Sequence, residues 1–201
     1  MPKIVDHDHQ RQRVVEAALR IIRSDGIEGA TVRKIAAEAG LSVGSMRHYF
    51  NSQLELFSWA MHLFLDRIET RIRNTSFDGP PLESMVLLLL QFMPVDEERR
   101  LEMEVWLAFM SKATVHAELQ ELSDKMHRGL YESAQYVILT LIGEGLARAD
   151  LDVKLEAQRL HALVDGLSLQ HLLQPTALPL PRIEELLSHH LHCLGSGKLQ
   201  R

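Results

Sequence analysis

Thr31-Val-Arg-Lys-Ile-Ala-Ala-Glu-Ala-Gly40-Leu-Ser-Val-Gly-Ser-Met-Arg-His-Tyr-Phe50 is the stretch whose reading decides the fold. Thr31 is suited to cap a helix over 32–39, with Val32, Ile35, Ala36 and Ala39 on one face. Gly40 can take a positive φ without a Cβ penalty and closes that helix. Ser42 can cap a third, very short helix over 43–49. Ala36 is small where two helices would cross, and Ile35, Ala39, Leu41 and Met46 supply a small core. The third helix then presents Val43, Gly44, Ser45, Arg47 and His48 outward, a shape that fits a DNA major groove.

Working outward, residues 9–25 read as an amphipathic helix, with Val15, Ala18, Leu19 and Ile22 at i, i+3, i+4, i+7 and Asp25-Gly26 ending it. A fourth helix begins near Ser52 and runs past Arg71, striped by Leu56, Phe57, Met61, Phe64, Leu65 and Ile68. Asn74 to Pro81 breaks the pattern with Pro and Gly. Further helices are expected at 82–93, 97–114, 117–146, 153–173 and 181–194. The predicted fold is therefore all-α: a three-helix helix-turn-helix domain over residues 1–52 and a helical bundle over 53–201, about nine helices in all.

Composition narrows the class. The net charge of −5 argues against binding nucleic acid over the whole surface. Residues 1–53, however, hold 8 Lys/Arg against 6 Asp/Glu, and the remainder 14 against 21. A mildly basic head on an acidic body fits a protein that touches DNA at one end. One cysteine, Cys193, excludes a disulfide framework and points to a cytoplasmic setting. The longest apolar run, Met85 to Leu90, is far too short for a bilayer, so no membrane association is expected. The polar MPKIVDHDHQ start has no secretory h-region. No GxSxG, P-loop, HExxH or GxGxxG occurs, so no enzyme and no cofactor are expected. His7/His9, and His189/His190/His192 beside Cys193, form tempting clusters, but without a CxxC no metal site is expected.

The block around Gly29-Ala30-Thr31, IAAEAGLS and GSMRHYF resembles the TetR family of repressors, and the last fingerprint its BetI-like branch. Glu104 to Phe109 and Val164 to Gln170 are similar to that branch as well. The resemblance implies a ligand-responsive regulator: a homodimer on a palindromic double-stranded operator, released by a small-molecule effector. It implies that Thr31 and Ser42 cap helices at the duplex and that Arg33 reaches a base edge or phosphate. Val43, Gly44, Ser45, Arg47 and His48 would face the groove, and Tyr49 would donate its hydroxyl to a phosphate. Where relatives commonly carry Lys at the start of the fourth helix, this chain has Gln53, one charge contact fewer.

For the body the expectations are these. Met103, Trp106, Phe109 and Met110, facing Met85, Leu89 and Phe92 and then Met126, Leu130, Tyr131 and Gln135, are the candidate walls of a mostly apolar effector pocket. A choline-like effector would want an aromatic cage with a carboxylate, for which Trp106, Tyr131 and Glu102 or Glu104 are candidates. Leu160, Leu163, Val164 and Leu167, with Ile183, Leu187 and Leu191, are the candidate dimer surface of a four-helix bundle. The alternatives are a DNA-binding protein without an effector pocket, or an all-α enzyme or carrier with a vestigial head.

Overall fold

A computed structural model of the chain describes residues 7–26 and 29–195, without the side chains at 7, 8 and 53. Among the described residues there are nine α-helices and no strand. They are α1 (His7–Asp25), α2 (Val32–Glu38), α3 (Val43–Met46), α4 (Gln53–Asn74), α5 (Pro81–Leu89), α6 (Glu97–Ala113), α7 (Gln120–Gly143), α8 (Val153–Leu173) and α9 (Leu180–Cys193).

Local chemistry sets the ends. Gly26 sits at φ 73° and its amide donates to the Ile22 carbonyl at 2.9 Å, stopping α1. Gly40, at φ 70°, ends α2 in a paired closure: the Leu41 amide reaches the Ala36 carbonyl at 2.8 Å and the Gly40 amide reaches Ala37 at 3.1 Å. Pro81 starts α5, where a missing N–H costs nothing. Asp96 accepts the Arg99 amide before α6, and Asp152 accepts the Lys154 and Leu155 amides before α8. Two helices give way to 3-10 turns short of their predicted bounds. The segment expected as 82–93 passes into a 3-10 turn at Leu90–Phe92. The one expected as 117–146 opens with a 3-10 turn at Ala117–Leu119 and stops at Gly143, because Gly145 at φ 71° turns the Leu146 amide back onto Leu141.

The contacts form two compact units. One comprises the chain to Asp66 with Leu101–Ser123; the other comprises Arg67–Arg100 with everything from Asp124 onward. Packing is thus not cut at 52/53, where the sequence predicts a domain boundary. In the first unit Val14, Val15, Ala18, Leu19, Ile35, Ala36, Met46, Phe50, Phe57, Met61 and Phe64 are buried. The second unit is built on Leu89, Met93, Val137, Ile138, Leu141, Leu160, Val164, Ile183, Leu187 and Leu191.

That second core corrects one expectation. Leu160, Val164, Leu167, Ile183, Leu187 and Leu191 are all buried inside the chain's own bundle, four of them with no accessible surface, and Leu163 is half-buried against the same core. A side chain already enclosed has no area left to bury against a second protomer, so these residues are core rather than dimer surface.

A polar cluster lies between α7 and α8. The buried His161 has its Nε2 3.4 Å from an Asp165 carboxylate oxygen, and its ring centre lies 4.4 Å from that of His127. Burial holds the His161 pKa below its ordinary 6.5; Asp165 opposes this and the His127 ring adds to it. His190 is also held low, first by burial and then by Arg159. Asp165 is pushed up by burial. The unfolded chain therefore takes protons at these imidazoles near pH 6.5 while the folded chain resists, and stability falls as pH drops below that value. Asp165 acts in the opposite sense only at lower pH, where the folded chain keeps its proton longer. Thermal unfolding followed by circular dichroism should give a lower Tm at pH 5.5 than at pH 7.5. His161→Gln should flatten that dependence; an unchanged profile would show that the imidazole is not the source.

Candidate functional site

A four-residue helix cannot sustain itself, so α3 must be held from outside. At its start the Ser42 hydroxyl accepts the Ser45 amide at 3.0 Å and lies 2.8 Å from the Ser45 hydroxyl. Beneath it Met46 is buried. Past Met46 the backbone tightens rather than continuing to 49 as an α-helix: the His48 amide bonds Ser45 at 3.1 Å and the Tyr49 amide bonds Met46 at 2.9 Å. Val43, Gly44, Arg47 and His48 are left exposed on one side, while Ser45 and Tyr49 are half-buried.

The far end is held by a device that sequence reasoning missed. Arg11 of α1 donates its Nε to the Tyr49 carbonyl at 3.1 Å and an Nη to Glu55 at 3.3 Å. Its guanidinium carbon stands 5.3 Å from the Trp59 ring centre and 6.0 Å from that of Phe50. Phe50 and Trp59 meet edge to face at 6.3 Å. Glu55 in turn accepts the Asn51 amide at 2.8 Å, and Ser52 accepts the Glu55 amide at 3.1 Å. The Ser52-x-x-Glu55 spacing was the available signal; nothing local marked Arg11 as its partner.

The second helix carries two further candidates. Thr31 caps α2, accepting the Lys34 amide at 3.4 Å, and Arg33 projects from the first turn into solvent. The head's cations fall into two groups. Arg20 pairs with Glu38 at 2.6 Å and Lys34 with Asp25 at 2.5 Å, while Arg13 reaches the Ala39 carbonyl at 3.4 Å. The Lys34 ammonium, as hydrogen-bond donor and as charge, holds the Asp25 pKa below its usual range. Arg33 and Arg47 are exposed and have no ion-pair partner among the described residues. Gln53 opens α4, and its side chain lies outside the described residues, as does that of His7.

The expected effector residues are divided between the two units. Met103, Trp106, Phe109 and Met110 belong to the first unit; Met85, Leu89, Phe92, Met126, Leu130, Tyr131 and Gln135 belong to the second. Leu89 and Phe109 have no accessible surface and so line no space that could admit even a water, which removes them from any pocket wall. Trp106 stacks on Phe109 at 5.8 Å, and the Ser123 hydroxyl donates to the Met110 sulfur at 3.5 Å. The second unit does hold an open groove of about 570 Å³, lined by Ile72, Arg73, Thr75, Phe77, Met85, Leu88, Gly129, Glu132, Ser133 and Tyr136. Of the expected residues only Met85 lines it. His189 Nε2 lies 3.6 Å from the Cys193 sulfur, yet no group of three or more potential metal ligands occurs among the described residues. No described helix is long and apolar enough to cross a membrane.

Comparison with known proteins agrees with this arrangement. Residues 14–58 match the family described as bacterial regulatory proteins, tetR family, and residues 81–195 match the C-terminal domain of BetI-type transcriptional repressors. The chain is 38% identical over 195 residues to the HTH-type transcriptional regulator PksA of Bacillus subtilis, covering 96% of this chain and 94% of that one. It is 27% identical to the regulator BetI of Proteus mirabilis, covering 95% and 94%. A transcriptional regulator from Rhodococcus sp. Rha1 superposes with a TM-score of 0.77 at 28% identity, covering 92% and 95%. One from Saccharomonospora viridis, solved in complex with choline, gives 0.75 at 26%, covering 90% and 94%. An all-helical chain with a capped, exposed third helix and a BetI-type C-terminal domain belongs to the TetR family of helix-turn-helix transcriptional regulators.

Proposed function

We propose that this regulator is a repressor that binds a palindromic operator as a homodimer and is released by a small-molecule effector. The observation that carries the reading is the propped α3, with Val43, Gly44, Arg47 and His48 turned to solvent beside the unpaired Arg33. On this reading α3 enters the major groove and Arg47 and His48 reach base edges. Thr31, Arg33 and Tyr49 meet phosphates. Ser42 and Ser45 hold each other, so they act first as structure, each with one hydroxyl lone pair or proton left for the duplex. The functional division falls at 52/53, with residues 53–201 serving the effector and the dimer.

One such head makes few base contacts, and two-fold pairing doubles them. The α8 helix supports this. Its exposed face carries Leu155, Ala162, Leu169 and Leu173 at i, i+7, i+14 and i+18, with Gly166 between them. Leu173 is 68% exposed and Leu155 52%. This face, opposite the buried Leu160 and Val164, is the proposed dimer surface. The effector is a small, mostly hydrophobic molecule, and the groove over Phe77, Met85 and Tyr136 is its proposed seat. Choline, the ligand of the Saccharomonospora viridis neighbour, would meet Arg73 there as well as Glu132, so a cation is not the favoured class.

Two outcomes are expected. With Leu169 and Leu173 both changed to Glu, analytical ultracentrifugation should show a folded monomer. Leu187→Ala should instead lower unfolding free energy by about 2–5 kcal/mol while leaving the assembly formula intact. A dimer that survives the double change would move the interface elsewhere. In gel shifts with DNA selected by the protein, Arg47→Ala should weaken binding by about 1–3 kcal/mol. Arg11→Leu should also weaken it, yet leave the salt slope unchanged because no phosphate contact is lost. Wild-type affinity in both variants would remove α3 from the interface.

A further inference from the structure

The first unit contains a second concave feature, separate from the groove proposed for the effector. A cleft of about 820 Å³ opens beside α3, lined by the start of α2 and the loop before it, by α3 and the residues after it, and by parts of α4 and α6. Its lining includes three cations, Arg33, Arg47 and Lys112, and no carboxylate. Arg33, Arg47 and Lys112 have no ion-pair partner among the described residues. Lys112 comes from the last turn of α6 and is half-buried, its ammonium 5.6 Å from the Phe57 ring centre. The ring and the cleft wall thus hold one cation inside the concavity rather than at its rim. Two large apolar side chains on the same lining, Val32 and Val43, are 43% and 37% exposed.

A duplex is convex and cannot fill a cleft of this volume. A small molecule can, since the volume lies within the range of ligand sites. We propose that this cleft binds an amphipathic organic carboxylate, its charge paired with Lys112 and the flanking arginines and its apolar part against Val32, Val43 and the Phe57 edge. Binding rests only on the lining of the cleft. Its consequence rests on the reading of Val43 and Arg47 as operator contacts: a molecule holding them competes with DNA directly, without any rearrangement of the body.

The test uses the full chain without DNA and 1-naphthoate as the probe, with neutral 1-naphthamide as the control, both followed by isothermal titration calorimetry. Naphthoate should bind with a Kd of about 0.1–1 mM, a value suited to so small a ligand. The amide should bind at least about tenfold more weakly, and added salt should weaken the acid alone. Lys112→Met should weaken naphthoate by about fivefold and Lys112→Arg should restore it, with circular dichroism showing both variants folded. No heat with naphthoate, equal binding of acid and amide, or binding indifferent to Lys112→Met would overturn the site. Lys112-dependent binding that leaves operator affinity untouched would instead uphold the site and overturn the assignment of Val43 and Arg47 to DNA.

Discussion

The regulator depends on holding a helix of four residues in place. Nucleation makes such a segment unstable alone. Everything around α3 supplies what its own hydrogen bonds cannot. Ser42 satisfies an amide at one end, Met46 anchors the inner side, and the Gly40 closure sets the direction from which the chain enters. At the exit, Arg11 gathers the Tyr49 carbonyl, the Glu55 carboxylate and two aromatic faces into one contact. A guanidinium is suited to this because its planar fork donates in several directions while its face stacks. The ammonium of a lysine there would lose the planar stacking and the fixed geometry. On the proposed reading, Arg11 thus governs where Arg47 and His48 are placed without itself meeting the duplex.

The same sorting explains why net charge is a poor guide in this chain. The head's small positive excess is spread over many cations, and several of them are committed internally: Arg20 to Glu38, Lys34 to Asp25, Arg11 to Glu55. The Arg20 and Lys34 pairs are solvent-exposed, and such pairs contribute little stability apiece. Their larger effect is on the field outside the molecule. By neutralising cations on the flanks they leave Arg33 and Arg47, with Lys112, among the cations beside α3 that have no ion-pair partner among the described residues. Orientation of a duplex follows from where charge is left over rather than from the total.

Much of the fold was legible because helix boundaries are written locally. Gly26 and Gly40 take positive φ where the sequence places a stop, Thr31 and Ser42 cap where expected, and Pro81 opens α5. What periodicity cannot say is which surface a stripe meets. Leu160, Val164, Leu187 and Leu191 were placed on a stripe correctly and assigned to the wrong neighbour, since an apolar face reads the same whether its partner is the chain itself or a second copy. Two of the expected effector residues are core for a related reason. Large, adaptable side chains cluster in α6, but cores and pockets use the same amino acids, and Phe109 and Leu89 went to the core. The groove proposed for the effector draws Arg73, Thr75 and Phe77 from α4 and the loop after it, and Tyr136 from the outer side of α7, where no apolar stripe announces them. Arg11 was illegible because its partners lie 38 and 44 residues away in sequence.

The α8 helix carries the last step. A helix at the surface of an isolated globule keeps one apolar stripe and turns charge outward. Here the inner stripe of Ala157, Leu160, Val164 and Leu167 is complete and buried, and a second stripe of leucines and small residues runs along the opposite side. The inner stripe alone would hold α8 to its bundle. Leaving Leu155, Leu169 and Leu173 in water on one helix face, with Ala162 and Gly166 between them, is what a surface awaiting a partner would show. Ala162 and Gly166 between those leucines remove the bulk that would keep another backbone away. On the proposed reading this face meets its own copy across a two-fold axis, and the same axis would turn one weak reader of a half-site into a reader of a palindrome.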